Sequence, residues 1–519
     1  MHSLDNGSEA LAFLEQWAAA ADASSFERID THAATVLLWG DRAWKLKRPV
    51  RYAYLDFSTP KRRHTALEAE LLLNRRTAPA LYLTLRSVNR DARGTLTIDG
   101  PGAPIEWFLE MRRFADDALL AHLAERGSIA PTLLMRLADK IQTFHDQAAV
   151  VVSGDVASRM RQIIDGNEPS LKAFPAILDP VAAHALICQQ RQLVTKHHAL
   201  LDARFRAGRV RHCHGDLHLA NIAIIDGEAT PFDCLEFSEE LASIDVLYDL
   251  AFLLMDLCGR GLRLEASLVF NRYIDLSPAD EAAGVIMPLF LSVRATIRAH
   301  VAAAATAIMA EGTDPPTLLR LAEQALQANS PMLVAVGGRS GSGKSSVARL
   351  LGDMGPMPGA RVLRSDVLRK RLAGVPPEAR LPADSYTPAS SAAVYAYLVE
   401  TARATIESGQ WAIVDAVFET QAERTAIESA AHSAGVPFCG IWLDAPEGLR
   451  IERVEKRTAD ASDADAAVAK AQSSRSPGDL GTWHILPADR PLQATAEAAK
   501  SLILSARSSF DSESHLGCG

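Results

Sequence analysis

The 519-residue sequence predicts two units of different fold class in tandem. The first is α+β, a strand-rich lobe ahead of a helical lobe, and the second is α/β, built on a parallel sheet. Three observations predict this. Between Thr35 and Met111 short apolar runs alternate between turn residues, and from Ala118 onward the apolar spacing becomes helical. Past Asn329-Ser330-Pro331, short apolar runs alternate with helical stretches, as in strands joined by crossover helices. Two segments of unlike chemistry, HGDLHLAN at His214–Asn221 and GRSGSGKS at Gly338–Ser345, fall one in each part.

At about 150 residues per domain the length allows three or four compact units, and the 48% hydrophobic fraction suits buried cores. The 54 basic and 63 acidic side chains give a net charge of −9, which excludes a broad basic footprint for nucleic acid and leaves at most a local groove. The six cysteines show no CxxC pair or metal-ligand spacing, so free thiols in a reducing compartment are expected rather than disulfides. MHSLDNGSEA does not read as a secretory signal. The most apolar stretch, Val285–Ala310, carries Arg294, Arg298 and His300, which favours a buried helix over a membrane span. A soluble, cytoplasmic protein is expected, with no membrane partner.

In chain order, TVLLW, the Gly40-Asp41 turn and RAWKL predict a hairpin over 35–50. Thr59–Arg76 takes helical spacing, a strand pair surrounds Asp91–Gly94, and Glu106–Met111 reads as a further strand. Helices are expected over Leu133–Ala149, Val181–Ala207, Ile244–Cys258 and Glu281–Met309. Gly312–Pro316 breaks the pattern and the amphipathic segment Leu318–Ala328 follows, which sets the boundary near residue 328. Strands are then expected at Leu333–Val336, Arg361–Leu363, Ala412–Asp415, Phe438–Leu443 and Trp483–Leu486. The expected division is 1–328, 329–507 and a disordered polar tail over 508–519.

In HGDLHLAN, Asp216 and Asn221 lie five residues apart on a loop, and Asp233 follows in PFDCLEF. Phosphoryl transfer needs a carboxylate to orient the acceptor hydroxyl and metal ions to bridge the phosphates. Asp216 suits the first role, Asn221 and Asp233 the second, and this oxygen set suits Mg²⁺. The spacing reproduces HxDxxxxN followed by a metal-binding Asp. With SIDVLYDLAFL at Ser243–Leu253, the segment resembles the aminoglycoside phosphotransferase family, whose protein-kinase-like bilobal fold would cover residues of about 25 to 310. The resemblance implies that Lys45 in RAWKL grips nucleotide phosphates, with Lys47 its rival two residues on. It implies Glu70 as the lysine's helix partner, with Glu68 second, and FLEMRRF at Phe108–Phe114 as the adenine hinge. The region before Lys45 departs from the pattern in holding no glycine-rich loop. His218 is expected to orient the loop and His145 to pack structurally.

MLVAVGGRSGSGKSSVARLL reads as strand, glycine loop and helix, the context that a GxxxxGK[ST] match requires. Gly338, Gly341 and Gly343 let backbone N–H groups point at phosphates, Lys344 reaches the β- and γ-phosphates, Ser345 ligates Mg²⁺, and Ser342 and Ser346 complete the ATP-binding set. Past the second strand, Asp366 and Arg369 in RSDVLRKRL fit a proton acceptor beside an anion-holding cation. Asp415 ends AIVDAVF as the acid behind the metal. Arg450, Arg453 and Arg457 fall on one helix face, either as a lid over the phosphate or as a solvated face paired with Glu452 and Glu455. These features resemble small P-loop kinases such as gluconate kinase, chloramphenicol phosphotransferase-like enzymes and the polynucleotide kinase 5′-hydroxyl domain, over about 331 to 500. The whole resembles a bacterial family that fuses an aminoglycoside-phosphotransferase-like domain to a P-loop NTPase domain. An ATP- and Mg²⁺-dependent enzyme acting on a hydroxyl group of a small molecule is the main expectation. A nucleic-acid 5′-hydroxyl kinase in the C-terminal half, and a kinase-like domain regulating a P-loop ATPase, are the alternatives.

Overall fold

The computed structural model describes residues 6–22, 25–52, 55–306, 314–328, 330–456 and 461–516. The chain forms two compact units, Met1–Val156 with Leu201–Leu253, and Ala157–Leu200 with Leu254–Gly519. The break expected near residue 328 therefore lies inside the second unit.

In the first unit, helix α1 (Asn6–Ala21) precedes strands β1 (Glu27–Asp30), β2 (Ala34–Trp39) and β3 (Arg42–Lys47). Helix α2 (Pro60–Asn74) and strands β4 (Tyr82–Arg90), β5 (Leu96–Ile98) and β6 (Ala103–Arg112) follow. The strands form one antiparallel sheet in the order β1-β2-β3-β6-β4-β5. Period-two alternation decides what each face carries. Trp44 and Leu46 of β3 pack with Ala10, Leu14 and Ala18, a stripe at i, i+4, i+8 on α1. Ala43 faces the other way, toward Leu67 of α2, and Lys45 and Lys47 share its side of the strand. Thr59 caps α2 and Pro60 opens it, which fixes where the helix starts and so where Glu70 falls.

Helix α3 (Pro131–Gln147), the hairpin of β7 (Ile222–Ile225) and β8 (Glu228–Pro231), and helix α4 (Val246–Gly259) as far as Leu253 belong to the first unit too. The helix expected over Val181–Ala207 is interrupted at His197, which leaves helical geometry between Pro180–Lys196 and His198–Arg206.

The second unit contains α5 (Arg263–Leu276), α6 (Met287–Thr306), β9 (Leu333–Gly337), α7 (Lys344–Leu350), β10 (Arg361–Arg364) and α8 (Ser365–Leu372). It continues with α9 (Pro388–Glu407), β11 (Ala412–Asp415), α10 (Gln421–Ser433), β12 (Phe438–Asp444), α11 (Glu447–Glu455), β13 (His484–Pro487) and α12 (Leu492–Leu516). All five strands are parallel in the order β10-β11-β9-β12-β13. The central strand β9 is buried at every residue because helices cover both faces. Val334 and Val336 pack with Val347, Leu351, Ala499 and Ile503. Leu333 and Ala335 pack with Leu398, Ala402 and Ile427 on the other face.

The stretch Glu281–Met309 resolves into a 3₁₀ turn over Pro278–Ile286 and then α6, with 307–309 outside the described residues. Pro278–Thr306 is long and apolar enough to cross a membrane, and 72% of its most apolar window is buried within the protein. The tail expected to be disordered is helical as far as Leu516, since α12 continues through it. Cys188, Cys213, Cys234, Cys258 and Cys439 are free thiols.

Strand β10 ends the parallel sheet, and α5 covers it. The Val362 N–H donates to Asn271 Oδ1 (2.7 Å), and Asn271 Nδ2 donates to the Ala360 carbonyl (3.0 Å). One amide side chain thus fills positions that another strand would occupy. Asn271→Ala should leave both backbone groups unpartnered and cost about 1–3 kcal/mol, read as a lower urea midpoint of the full chain.

Candidate functional sites

The first site is built where β3, α2 and the loops before β7 and after β8 meet. Because Lys45 and Lys47 are two residues apart on one strand, both ammonium groups reach Glu70, at 2.7 Å to Oε1 and 2.6 Å to Oε2. Lys45 also pairs with Asp233 (2.7 Å), and Lys47 with Glu236 (2.5 Å). Glu70 is fully buried. Burial pushes its carboxyl up, but Lys45 and Lys47 overcome this and hold it at about 2. Burial lowers the Lys45 ammonium, and Asp233 and Glu70 reverse that to well above its ordinary value. Glu236 is raised, chiefly by burial. Both lysines thus share Glu70, while Glu68 is exposed and meets His64 (3.3 Å).

Asn221 Nδ2 donates to the Asp216 carbonyl (3.0 Å) and to its carboxylate (2.9 Å), which fixes the carboxylate's direction. His218 Nε2 lies 3.4 Å from the same carboxylate, its Nδ1 accepts from the Ala220 N–H, and its ring packs on Phe252. Beneath the loop, Asp249 of α4 accepts the N–H groups of His214 (3.1 Å) and Gly215 (2.9 Å), and His145 of α3 meets Asp249 at 3.1 Å. His145 is fully buried against Asp249.

A cavity of about 550 Å³ brings Lys45, Lys47, Asp216, Asn221, Asp233 and Glu236 together. Met111, Arg112, Arg113 and Phe114, the end of the expected hinge segment, line it too. The β1–β2 turn Thr31-His32-Ala33, closed by the Ala34 N–H donating to Thr31 Oγ1 (2.9 Å), also lines it. This glycine-free turn stands where the sequence shows no glycine-rich loop. Sequence reasoning missed that turn. It also missed Tyr82, whose hydroxyl accepts the Asp233 N–H (3.1 Å), because a tyrosine at the start of a strand reads as core.

The second site lies at the carboxyl ends of the parallel strands, where side chains from different βα units converge. Gly341 has φ +81° and a Cβ there would come within 2.3 Å of the Arg450 carbonyl, so only glycine fits. Gly338 and Gly343 also have positive φ. Lys344 Nζ donates to the Arg339 carbonyl (3.0 Å), and the buried Ser342 hydroxyl has no hydrogen-bond partner among the described residues.

One cavity of about 950 Å³ is lined by Lys344, Ser345 and Ser346 of the glycine loop and the helix after it, by Asp366, Arg369, Arg380 and Tyr386, and by Asp415. Asp415 ends β11, is 4% exposed, and lies 3.4 Å from Arg364 Nε. Burial raises the Asp366 carboxyl, Arg364 pulls it back, and Asp415 adds to the rise, for a net upward shift. Arg369 stacks its guanidinium over Tyr386 (4.8 Å) and otherwise donates to neutral oxygens of Ser385 (3.2 Å) and Ser391 (3.4 Å). Asp463 ties the far rim, taking Lys370, the Tyr386 hydroxyl and the Leu381 N–H (3.1 Å).

The arginine row divides. Arg450 is a buried strut that donates to the carbonyls of Ala445, Ser340 and Ala469. Arg453 donates to the carbonyls of Ala488 (2.9 Å) and Ser342 (3.4 Å), in a smaller pocket with Gly341, Gly343 and Arg490 rather than in the cavity of Asp366. Arg457 lies outside the described residues. The sequence allows a lid or a solvated face for the whole row, but Arg450 and Arg453 differ in depth along the helix face and in what they donate to.

Fold and sites define an α+β part built on an antiparallel sheet, followed by an α/β part in which a glycine loop joins the central strand of a parallel sheet to the next helix. Residues 333–477 match the model of a family described as an AAA domain. The chain is 29% identical over 486 residues to uncharacterized proteins of Mycobacterium tuberculosis and Mycobacterium bovis, covering 91% of this chain and 94% of each relative. Among solved structures it is similar to a gluconokinase from Sinorhizobium meliloti 1021, with 21% identity and a TM-score of 0.27 over 36% of this chain and 99% of that one. It is also similar to a choline kinase from Cryptosporidium parvum Iowa II, with 10% identity and a TM-score of 0.40 over 61% of this chain and 94% of that one.

Because Glu70 is held at about 2 against an ordinary 4.5, its contribution to stability is present above about pH 4.5 and drains away as pH falls toward 2. Glu70→Gln, which leaves two buried ammonium groups short of a partner, should cost about 3–5 kcal/mol near neutrality. The gap between the urea midpoints of parent and variant should close as pH is lowered through that window.

Proposed function

We propose that the chain is an ATP- and Mg²⁺-dependent phosphotransferase with two nucleotide sites, acting on a hydroxyl group of a small molecule. The observation that carries this reading is the P-loop cavity, which Lys344, Ser345, Asp366 and Arg369 line together. Lys344 neutralises the β- and γ-phosphates, and the loop's backbone N–H groups cradle them. Asp366 takes the acceptor's hydroxyl proton as its oxygen bonds the γ-phosphorus, while the bond to the β–γ bridging oxygen breaks and ADP leaves. The upward shift of Asp366 brings its proton affinity closer to that task than an exposed aspartate's. Arg369, stacked on Tyr386 and offset by no carboxylate in the described ion pairs, holds an anionic or polyhydroxylated acceptor.

Ser345 and Asp415 would hold Mg²⁺ here, and Asn221 and Asp233 in the first cavity. The fit rests on the donor sets, since each pairs hard oxygens with a nearby lysine for the phosphates. The metal would supply charge neutralisation on the transferring group. In the kinase-like site, Asp216 is aimed by Asn221 to accept the acceptor proton, and Lys45 is released from Asp233 to meet phosphate.

Incubating the full chain with γ-labelled ATP and a panel of sugars, sugar acids, amino alcohols and 5′-hydroxyl oligonucleotides tests this reading, and label in the oligonucleotides alone would replace it with the nucleic-acid kinase alternative. ATP titration should give a stoichiometry of two per chain, falling to one in Lys344→Ala, and an unchanged stoichiometry in that variant would sink the loop's assignment. Asp216→Asn and Asp366→Ala should each abolish transfer at one site by ~10²-fold or more while leaving ATP bound, with the labelled products distinguishing the sites.

A further inference from the structure

Arg361 opens β10 and Arg371 lies in the last turn of α8, at the two ends of one strand–turn–helix unit. The apex of that unit is Arg364-Ser365-Asp366, at the mouth of the P-loop cavity. Across its open base lies a single carboxylate, Glu281, from the turn between α5 and α6. Arg361 Nε donates to Glu281 Oε1 (2.6 Å) and Arg361 Nη2 to Oε2 (3.0 Å), while Arg371 Nη1 donates to the same Oε2 (2.8 Å). Arg371 Nη2 adds the Ile274 carbonyl (3.0 Å). Arg361 is 2% exposed. Burial raises the Glu281 carboxyl, but Arg361 and Arg371 bring it below its ordinary value, so it stays ionised.

Asp275 is a built-in contrast. It also pairs with Arg361 (2.7 Å), but none of the described contacts links it to α8. Burying ion pairs to stabilise an edge strand would need Arg361 and Asp275 alone, whereas Glu281 joins strand to helix.

We infer that Glu281 is a positioning residue for the acceptor side of the P-loop site. By holding Arg361 and Arg371 together it fixes the angle between β10 and α8, and with it where Asp366 and Arg369 point. The inference rests on the reading of Asp366 and Arg369 as the acceptor groups. Helix α8 is about 12 Å long at about 1.5 Å per residue. A swing of about 10° about the apex moves Arg369, about 6 Å along the helix, by about 1 Å, and a misplacement of that size can cost about tenfold or more, up to about 10²-fold, in rate. The clamp is therefore stiff where tolerance is small, and residues numbered with the kinase-like half set the geometry of the P-loop half.

The test uses the full chain carrying Asp216→Asn, so that turnover comes from the P-loop cavity, with ATP hydrolysis as the readout and water as the acceptor. Glu281→Gln and Arg371→Gln should each lower kcat about tenfold with the KM for ATP unchanged, and the double variant should fall no further than either single one. Asp275→Asn removes a half-buried carboxylate from the same arginine and should leave kcat within about twofold. Equal losses in all three, or a loss that appears as a raised KM for ATP, would overturn the inference and make the cluster a stability element. If Glu281→Gln does not fold, Arg371→Gln decides alone, since it removes only the helix side of the clamp. Asp366→Ala separates the two levels: unchanged hydrolysis there refutes the acceptor reading itself, whereas a loss there with normal turnover in Arg371→Gln refutes only the clamp.

Discussion

A carboxylate taken out of water must be surrounded by cations and hydrogen-bond donors or it will not stay charged. At Glu70 and at Glu281 the chain meets this constraint in the same way, with one glutamate shared by two basic side chains from one stretch of backbone. Glu70 sits between Lys45 and Lys47 of a single strand, and Glu281 between Arg361 and Arg371 of a strand and its following helix. The two clusters differ in their balance. Around Glu70, two lysines face three carboxylates, counting Asp233 and Glu236, and the surplus negative charge lies at the cavity. Around Glu281, two arginines meet two carboxylates, counting Asp275, and the set is closed. The first suits a place that receives a cation; the second suits a joint.

Much of this was legible in the residues. The five parallel strands fall where apolar runs separate helical stretches, HGDLHLAN falls on a loop, and GRSGSGKS falls on a glycine turn that runs into α7 at Lys344. Strand β1 was not legible, since ERID is exposed at every position and shows no alternation. Nor was the sharing of Glu70: a strand shows that two lysines lie on one face, but not that both arms converge on one carboxylate. The arginines of α11 were legible as a row and not as roles, because depth along a helix face comes from what packs against it.

The boundary near residue 328 was read from Gly312–Pro316, a real break in helical pattern. Chain punctuation marks where helices stop. It does not mark which helices pack together, and here α5 and α6 belong with the parallel sheet. The contacts responsible, Asn271 on β10 and Glu281 on Arg361 and Arg371, join residues about 80 to 100 positions apart and leave no local periodicity.

The cover over β10 has a consequence for ancestry. A sheet whose outermost strand is already satisfied by an amide from a preceding helix cannot be cut from that helix and moved as a cassette without exposing raw backbone. Any rearrangement that separated the segments would release a product prone to pair with copies of itself. Once the two were fused and Asn271 had taken that place, selection against such sticky fragments would keep them in one reading frame, whatever became of the chemistry at either site.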